Sequence, residues 1–263
     1  MARKIVVTSG KGGVGKTTIC ANLGARLAGL GFRVAIIDVD LGLNNLDVVL
    51  GLENKVTFDL LDVIEGKCRV KQALVQDSRY PLLYILPSVQ LENLARISDV
   101  AIKQIVDSID FNFDFILLDC PAGIGGGFHR AVFCADEAIV VVTPHISSIR
   151  DADKVVTLLS NYNLTQKYLV VNRARGDLIL SGESFTVESI AEKMNIPILG
   201  VIPEDDEIPT LSLMGGITAS NFGGRAFSLL AENLCNSSKK IYDCTYKYRG
   251  FFGALKRALK RKV

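Results

Sequence analysis

One nine-residue stretch constrains this chain more than any other. Gly10-Lys11-Gly12-Gly13-Val14-Gly15-Lys16-Thr17-Thr18 fits the pattern G-x-x-x-x-G-K-[ST]. It follows the apolar run Ile5-Val6-Val7 and leads into Thr17 to Leu30, which reads as a helix ended at Gly31. A glycine loop between a strand and a helix brings backbone N–H groups against an anion, since side chains would hold the backbone away, and the helix N-terminus adds positive potential. The stretch Gly10 to Thr18 therefore predicts a phosphate cradle. Lys16 is expected on the β- and γ-phosphates of a nucleoside triphosphate and the Thr17 hydroxyl on Mg2+. Lys11 is a second lysine inside the loop. It is either solvated or directed at a neighbouring subunit's nucleotide, in the manner of an arginine finger supplied in trans.

The pattern around the loop predicts the fold class. Val34-Ala35-Ile36-Ile37 completes a strand, loop, helix, strand unit. Further strands are expected at Leu82 to Leu86, Phe115 to Leu118 (central), Ala138 to Thr143, Tyr168 to Val171 and Pro197 to Val201. Helices are expected at Asn93 to Ile109, Ser148 to Ser160, Thr186 to Met194 and about Ala226 to Leu234. Seven or so mostly parallel strands with helices on both faces make a doubly wound α/β sheet, which binds ligands at the carboxyl ends of its strands. Periodicity leaves the strand order open.

Acids stand where such a sheet needs them. Asp38 and Asp40 end the second strand, and Asp119 ends Phe115-Ile116-Leu117-Leu118, the Walker-B arrangement. Mg2+ keeps several waters and takes one or two protein ligands. Asp119 and Asp38 are therefore placed near the metal with Thr17, and Asp40 at the attacking water. The glycine-rich Asp119 to Gly127 and the stretch Asp40 to Asn45 suit segments that rearrange on hydrolysis.

Charge is informative only once it is split. Lys239 to Val263 holds nine basic residues and one acid, so this end carries +8 and the preceding residues −6. An acidic body makes nucleic acid an unlikely partner, while the basic end suits phosphate or anionic lipid. The start has no apolar signal region, and no apolar run approaches the 18 or so residues of a spanning helix. A cytoplasmic protein with at most peripheral membrane contact is expected. The six scattered cysteines fit reduced thiols, and His129 and His145 lack metal-site spacing.

The early lysine of Lys11-Gly12-Gly13-Val14-Gly15-Lys16-Thr17-Thr18 resembles the deviant Walker motif of the MinD/ParA ATPases. Asp38-Val39-Asp40-Leu41-Gly42-Leu43-Asn44-Asn45-Leu46-Asp47, Asp119-Cys120-Pro121-Ala122-Gly123-Ile124, Ala135-Asp136-Glu137-Ala138 and Ser147-Ser148-Ile149-Arg150-Asp151-Ala152-Asp153-Lys154 are similar to the septum-site-determining branch of that family. The resemblance spans nearly the whole chain. It implies an ATPase that forms an ATP-dependent homodimer, with catalytic Lys11, Lys16 and Asp40 and with Lys11 reaching across the interface. It places the adenine against Asn172, Arg173 and Pro203-Glu204-Asp205. It also implies docking of the septum inhibitor MinC on the helix carrying Asp151 and Asp153, and release by MinE or another topological regulator. Gly125 and His145 stand where the family often has acids, and the stretches Thr210 to Gly216 and Lys239 to Lys247 match no family motif.

The last residues carry a signal of their own. On a helical wheel of about 100° per residue, Tyr248, Phe251, Phe252, Leu255, Ala258, Leu259 and Val263 share one arc. Lys256, Arg257, Lys260 and Arg261 lie opposite, with Arg249, and Lys262 alone breaks the pattern. A basic and aromatic helix of this kind lies in an anionic lipid interface. One copy binds weakly and two together gain avidity, so dimerisation would control membrane residence. The domain reading is an ATPase body over 1–238, a connector over 239–247 and a membrane helix over 248–263, with Phe251, Phe252, Leu255, Lys256, Leu259 and Lys260 as lipid contacts. Competing readings are a partitioning or flagellar-number ATPase of the same family, an iron–sulfur redox ATPase using Cys120 and Cys134, and a scaffold that binds ATP without hydrolysis.

Overall fold

The computed structural model describes residues 1–42, 46–88, 97–208, 210, 222–236, 238–251 and 253. Its eight strands are β1 Arg3–Thr8, β2 Val34–Asp38, β3 Val75–Gln76, β4 Leu83–Leu86, β5 Phe115–Asp119, β6 Glu137–Val142, β7 Gln166–Ala174 and β8 Ile198–Pro203. They form one sheet in the order β3-β4-β2-β5-β1-β6-β7-β8. All pairings are parallel except β3 with β4. The two-residue strand β3 is an edge addition too short to leave a periodicity signal, which is why seven strands were legible.

The helices used below are α1 Lys16–Gly29, α2 Leu46–Leu50, α3 Leu60–Ile64, α4 Val70–Ala73, α5 Asp99–Ile109, α6 Gly126–Phe133, α7 Ile146–Leu159, α8 Gly176–Leu180 and α9 Val187–Met194, followed by Phe222–Asn236. The expected helix from Asn93 starts later, at Asp99, where the Ser98 side chain accepts the Ala101 N–H and caps the first turn. Positions 93–96 lie outside the described residues. Strand β7 is longer than the apolar run Tyr168 to Val171, because its polar ends pair with β6 and β8.

Alternation along the strands divides the core into two layers. Ile5 and Val7 of β1, Ile36 of β2, Leu117 of β5 and Ile139 of β6 pack with α1 and the helix Phe222–Asn236. Val6, Ile37, Leu118 and Val140 face the other way, against residues of α5, α6, α7 and α9. With both faces covered, the middle residues of the central strands β1, β2 and β5 are apolar, and their charged residues, Arg3, Lys4, Asp38 and Asp119, stand at or next to the strand ends. The chain runs from β1 outward to β2 on one side and later from β1's other side to β6. The sheet thus has its switch of direction beside β1, the crevice where open α/β sheets hold ligands.

Candidate nucleotide site

The loop after β1 sits at that switch point. Gly15 caps α1 with φ 96° and supplies no side-chain acceptor, so the first-turn N–H groups of the helix face the loop without a competing side chain. A Cβ at Gly15 would also fall 2.4 Å from Nδ2 of Asn172. Gly10 is needed for packing. A Cβ there would lie 2.2 Å from the carbonyl carbon of Asp151, so the loop and α7 touch backbone to backbone. Gly12 and Gly13 are exposed and Val14 is buried under the loop.

The two loop lysines have opposite environments. Lys16 is 7% exposed, and its ammonium donates to Ser9 Oγ at 3.1 Å. Lys11 is exposed and reaches across to Ser147 Oγ at 3.1 Å. Ser9 in turn donates to the Lys11 carbonyl at 2.8 Å, tying both ends of the loop together. Thr17 and Thr18 occupy the first turn of α1, both half-buried.

Asp38 and Asp119 are register partners on the adjacent strands β2 and β5, each 1% exposed. The Asp38 carboxylate accepts the N–H groups of Asp40 at 3.0 Å and Leu46 at 3.4 Å. Burial and the neighbouring Asp119 hold Asp38 well above the usual carboxylate range. Asp119 is pushed up to about 6 by burial, against the opposing pull of the Thr17 hydroxyl and the Lys16 ammonium. Asp119 Oδ1 is buried without a hydrogen-bond partner. Asp40, half-buried, is also raised by burial, with Lys16 acting in the opposite direction.

These observations test whether the residues fit Mg2+. The two buried acids stand side by side with Asp119 raising the proton affinity of Asp38, one Asp119 oxygen has no donor, and the Thr17 hydroxyl adjoins the Asp119 carboxylate. Such a donor set suits a small hard cation, which would relieve both the repulsion and the orphaned oxygen. Among the described residues no group of three or more His, Cys, Asp or Glu is placed to hold a metal by itself. The ion would therefore rest on Thr17, the acids, water and phosphate together.

A second cleft opens beside the loop. Asn172, Arg173, Pro203, Glu204 and Asp205 line it with Gly15, Thr18 and Ile208, so the expected base-lining segments converge. Asn172 donates from Nδ2 to the Val14 carbonyl at 2.7 Å. Arg173 adopts φ 55° at a register shift between β7 and β8. A left-handed arginine is strained, and such strain concentrates at functional positions. Asp205 accepts the Gly223 N–H at 3.2 Å, which joins this rim to the helix Phe222–Asn236.

With this geometry in place the comparisons are decisive. Residues 5–216 match the CobQ/CobB/MinD/ParA nucleotide binding domain. The chain belongs to that family. The Bacillus subtilis septum site-determining protein MinD is 47% identical over 261 residues, 97% of each chain. The MinC:MinD cell division protein complex of Aquifex aeolicus contains a chain 39% identical to this one. It superposes with TM-score 0.84 and covers 91% of this chain and 98% of its own. A septum site-determining MinD from Pyrococcus horikoshii, solved with Mg-ADP, is 34% identical with TM-score 0.82, again over 91% and 98%. A nucleotide and Mg2+ are thus bound by a close member of the family, on a fold this chain shares.

The family's helix α7 runs from the loop to the surface here. Asp151 is half-buried, bonded to Lys154 at 3.1 Å, and Asp153 is exposed. Sequence reasoning missed Ser9, Ser147 and Ser148. Ser148 accepts the Thr143 N–H at 3.1 Å and fixes the start of α7. A serine just before the loop and a serine pair after Pro144 were visible, but only contacts across the fold give them roles. Gly125 has φ −79° and open space where a Cβ would stand. Its departure from the family therefore removes a side chain without a steric reason. His145 precedes α7, exposed, and lines a polar cleft with Lys11, Ser147 and Glu204. Of the expected lipid contacts, Phe251 is exposed, while Phe252, Leu255, Lys256, Leu259 and Lys260 lie outside the described residues, as do positions 43–45 and 211–216. Tyr248 departs from the expected arc. It is 5% exposed in the turn Tyr246–Tyr248, because this turn packs on α8. No helix among the described residues is long and apolar enough to cross a membrane.

Proposed function

We propose that the chain is a Mg-ATP-dependent, dimerising ATPase switch. ATP-bound, it rests peripherally on the cytoplasmic face of the cell membrane and recruits MinC to control where division occurs. The observation that carries this reading is the contrast between the two loop lysines, one buried against its own loop and one exposed, with Ser147 Oγ as its hydrogen-bond partner. Lys16 neutralises the β- and γ-phosphates bound in its own subunit, and Lys11 leaves Ser147 to reach the nucleotide of a second copy. Such a lysine completes the site only in the dimer, so turnover is slow until two chains meet.

In ATP hydrolysis a water oxygen bonds to the γ-phosphorus while the bond to the β,γ-bridging oxygen breaks, giving ADP and phosphate. Mg2+, when bound, neutralises charge that develops on the phosphate oxygens. Thr17, Asp119 and Asp38 would hold it. Asp40 lies close enough to the Lys16 charge to be affected by it, and it orients and polarises the water. Asn172, Arg173 and the rim Pro203 to Asp205 receive the base and ribose side. Asp151 and Asp153 on α7 form part of the MinC surface. Because Gly10 seats α7 directly on the phosphate loop, that surface feels the loop's state. MinE or another topological regulator stimulates hydrolysis and releases the dimer from anionic lipid.

Sedimentation with anionic liposomes tests the switch, in ADP and in ATP, for the intact chain and for one ending at Arg249. The cut is set after Arg249 because an end at Lys247 would remove the buried Tyr248. Pelleting only with ATP and only with the tail is expected. Equal pelleting in both nucleotides would overturn nucleotide control of attachment.

A further inference from the structure

The stretch between the ATPase body and the tail matches no motif, yet it is closely fitted to the body. Asn233 Nδ2 donates to the Lys240 carbonyl at 3.1 Å. Ile241 and Tyr242 pack against the core, and Cys244 is 5% exposed. The Cys244 carbonyl lies against α8 so closely that a Cβ at Gly176 would come within 2.0 Å of its oxygen. Asp243 organises the next turn. Its carboxylate accepts the Thr245 N–H at 2.9 Å and the Thr245 hydroxyl at 2.6 Å, and it pairs with Arg249 at 3.0 Å. Arg249 also donates to Thr245 Oγ1 at 2.8 Å.

Two aromatic neighbours in this turn then have opposite fates. Tyr248 is buried, with the Lys247 ammonium 5.2 Å from its ring centroid. Tyr246, two residues earlier, is 78% exposed, and Phe251, just past the extended Arg249, is 84% exposed. A flexible tether needs neither a buried anchor nor a charged clasp from Asp243 to Arg249. An exposed tyrosine held rigidly beside a lipid-seeking helix has the amphipathic ring favoured at membrane interfaces.

We propose that the turn Tyr246–Tyr248 is a rigid mount that fixes the membrane helix to the ATPase body, and that it carries the exposed ring of Tyr246 into the same lipid interface. The inference rests on the membrane reading of the tail. It adds that the body lies on the bilayer in one orientation, with the end of α8 and this turn toward the lipid. Both copies of a dimer would contribute. A threefold loss of affinity per chain on removing the ring therefore becomes roughly tenfold for the dimer.

The chain contains no tryptophan, so a single one reports unambiguously. Full-length Tyr246→Trp, Phe251→Trp and Phe111→Trp proteins are mixed with Mg-ATP and phosphatidylglycerol/phosphatidylethanolamine vesicles carrying brominated acyl chains. Phe111, 82% exposed before β5 at the amino ends of the strands, is the reference position. Quenching and a blue shift at 246 and 251, with neither at 111, are expected. Quenching at 251 alone would overturn the mount and leave the membrane reading intact. Quenching at all three positions would overturn the fixed orientation. Quenching at none, with no pelleting, would overturn the membrane reading itself. Tyr246→Ser in the otherwise natural chain should bind these vesicles about tenfold more weakly, with its thermal midpoint unchanged; unchanged binding would count against the proposal.

Discussion

Replacing Asp119 by asparagine separates what this carboxylate costs the fold from what it gives the site. Asp119 is fully buried, and its pKa is pushed up to about 6 chiefly by that burial. A carboxyl whose proton affinity rises on folding favours the folded state at low pH, and this contribution is lost as pH rises through the folded value. The window therefore runs from about pH 4, the unfolded value, to about pH 6. Two pKa units at about 1.4 kcal/mol each put the cost of the ionised group at pH 7 near 2–3 kcal/mol. Asp119→Asn keeps the shape and removes the charge, and it also relieves Asp38, which Asp119 repels. The nucleotide-free variant should melt roughly 4–10 °C above the parent at pH 7. Near pH 4.5 the difference should shrink, because the parent's carboxyl is then largely protonated. Mg2+ should no longer tighten ADP binding in the variant, and in the parent that tightening should weaken below about pH 6 as protons compete with the ion. Circular-dichroism melts at the two pH values and titration calorimetry with and without Mg2+ read both effects. A variant that melts at or below the parent at pH 7, or that keeps its Mg2+ dependence, would refute the reasoning.

Three other substitutions probe separate contacts. Gly10→Ala puts a methyl group 2.2 Å from the Asp151 carbonyl carbon, so it should cost about 1–3 kcal/mol of stability and weaken nucleotide binding more than tenfold by calorimetry. Lys11→Ala removes an exposed side chain bonded only to Ser147 among the described residues. The melting point and monomer nucleotide affinity should stay within error while light scattering shows loss of the ATP-dependent dimer. Asn172→Ala deletes the buried bond to the Val14 carbonyl, so it should destabilise by about 1–2 kcal/mol and reduce the preference for adenine over guanine nucleotides in competition binding.

Those sites were legible in the sequence to different degrees, for physical reasons. The loop from Gly10 to Thr18 was readable because backbone-phosphate chemistry fixes residue types at fixed spacing, and Asp38 and Asp119 because each is an acid closing an apolar strand. The doubly wound sheet was readable because strands buried on both faces leave continuous apolar runs. Asn172 and Arg173 are different. Only the family resemblance named them, since no local pattern does, and the left-handed Arg173 sits at a register shift with β8 that only the pairing reveals. The strand order is likewise a property of contacts between distant segments, as is the seat of α7 on Gly10.

Tyr248 shows where helical periodicity misleads. On a wheel its ring falls on the same arc as Phe251 and Leu255, so spacing alone groups it with the amphipathic run. Periodicity, however, tests which side chains share a face if a helix is present, and it carries no information on where that helix begins. The Asp243 carboxylate, held by Thr245 and Arg249, closes a tight turn over Tyr246–Tyr248, and the backbone at Arg249 is extended. That break leaves Tyr248 packed on the body. The same turn that buries Tyr248 leaves Tyr246 outside, a ring that the wheel, begun at Tyr248, never considered. Here the polar clasp of Asp243 on Thr245 and Arg249, just upstream of the amphipathic run, sets which of the two rings the core receives.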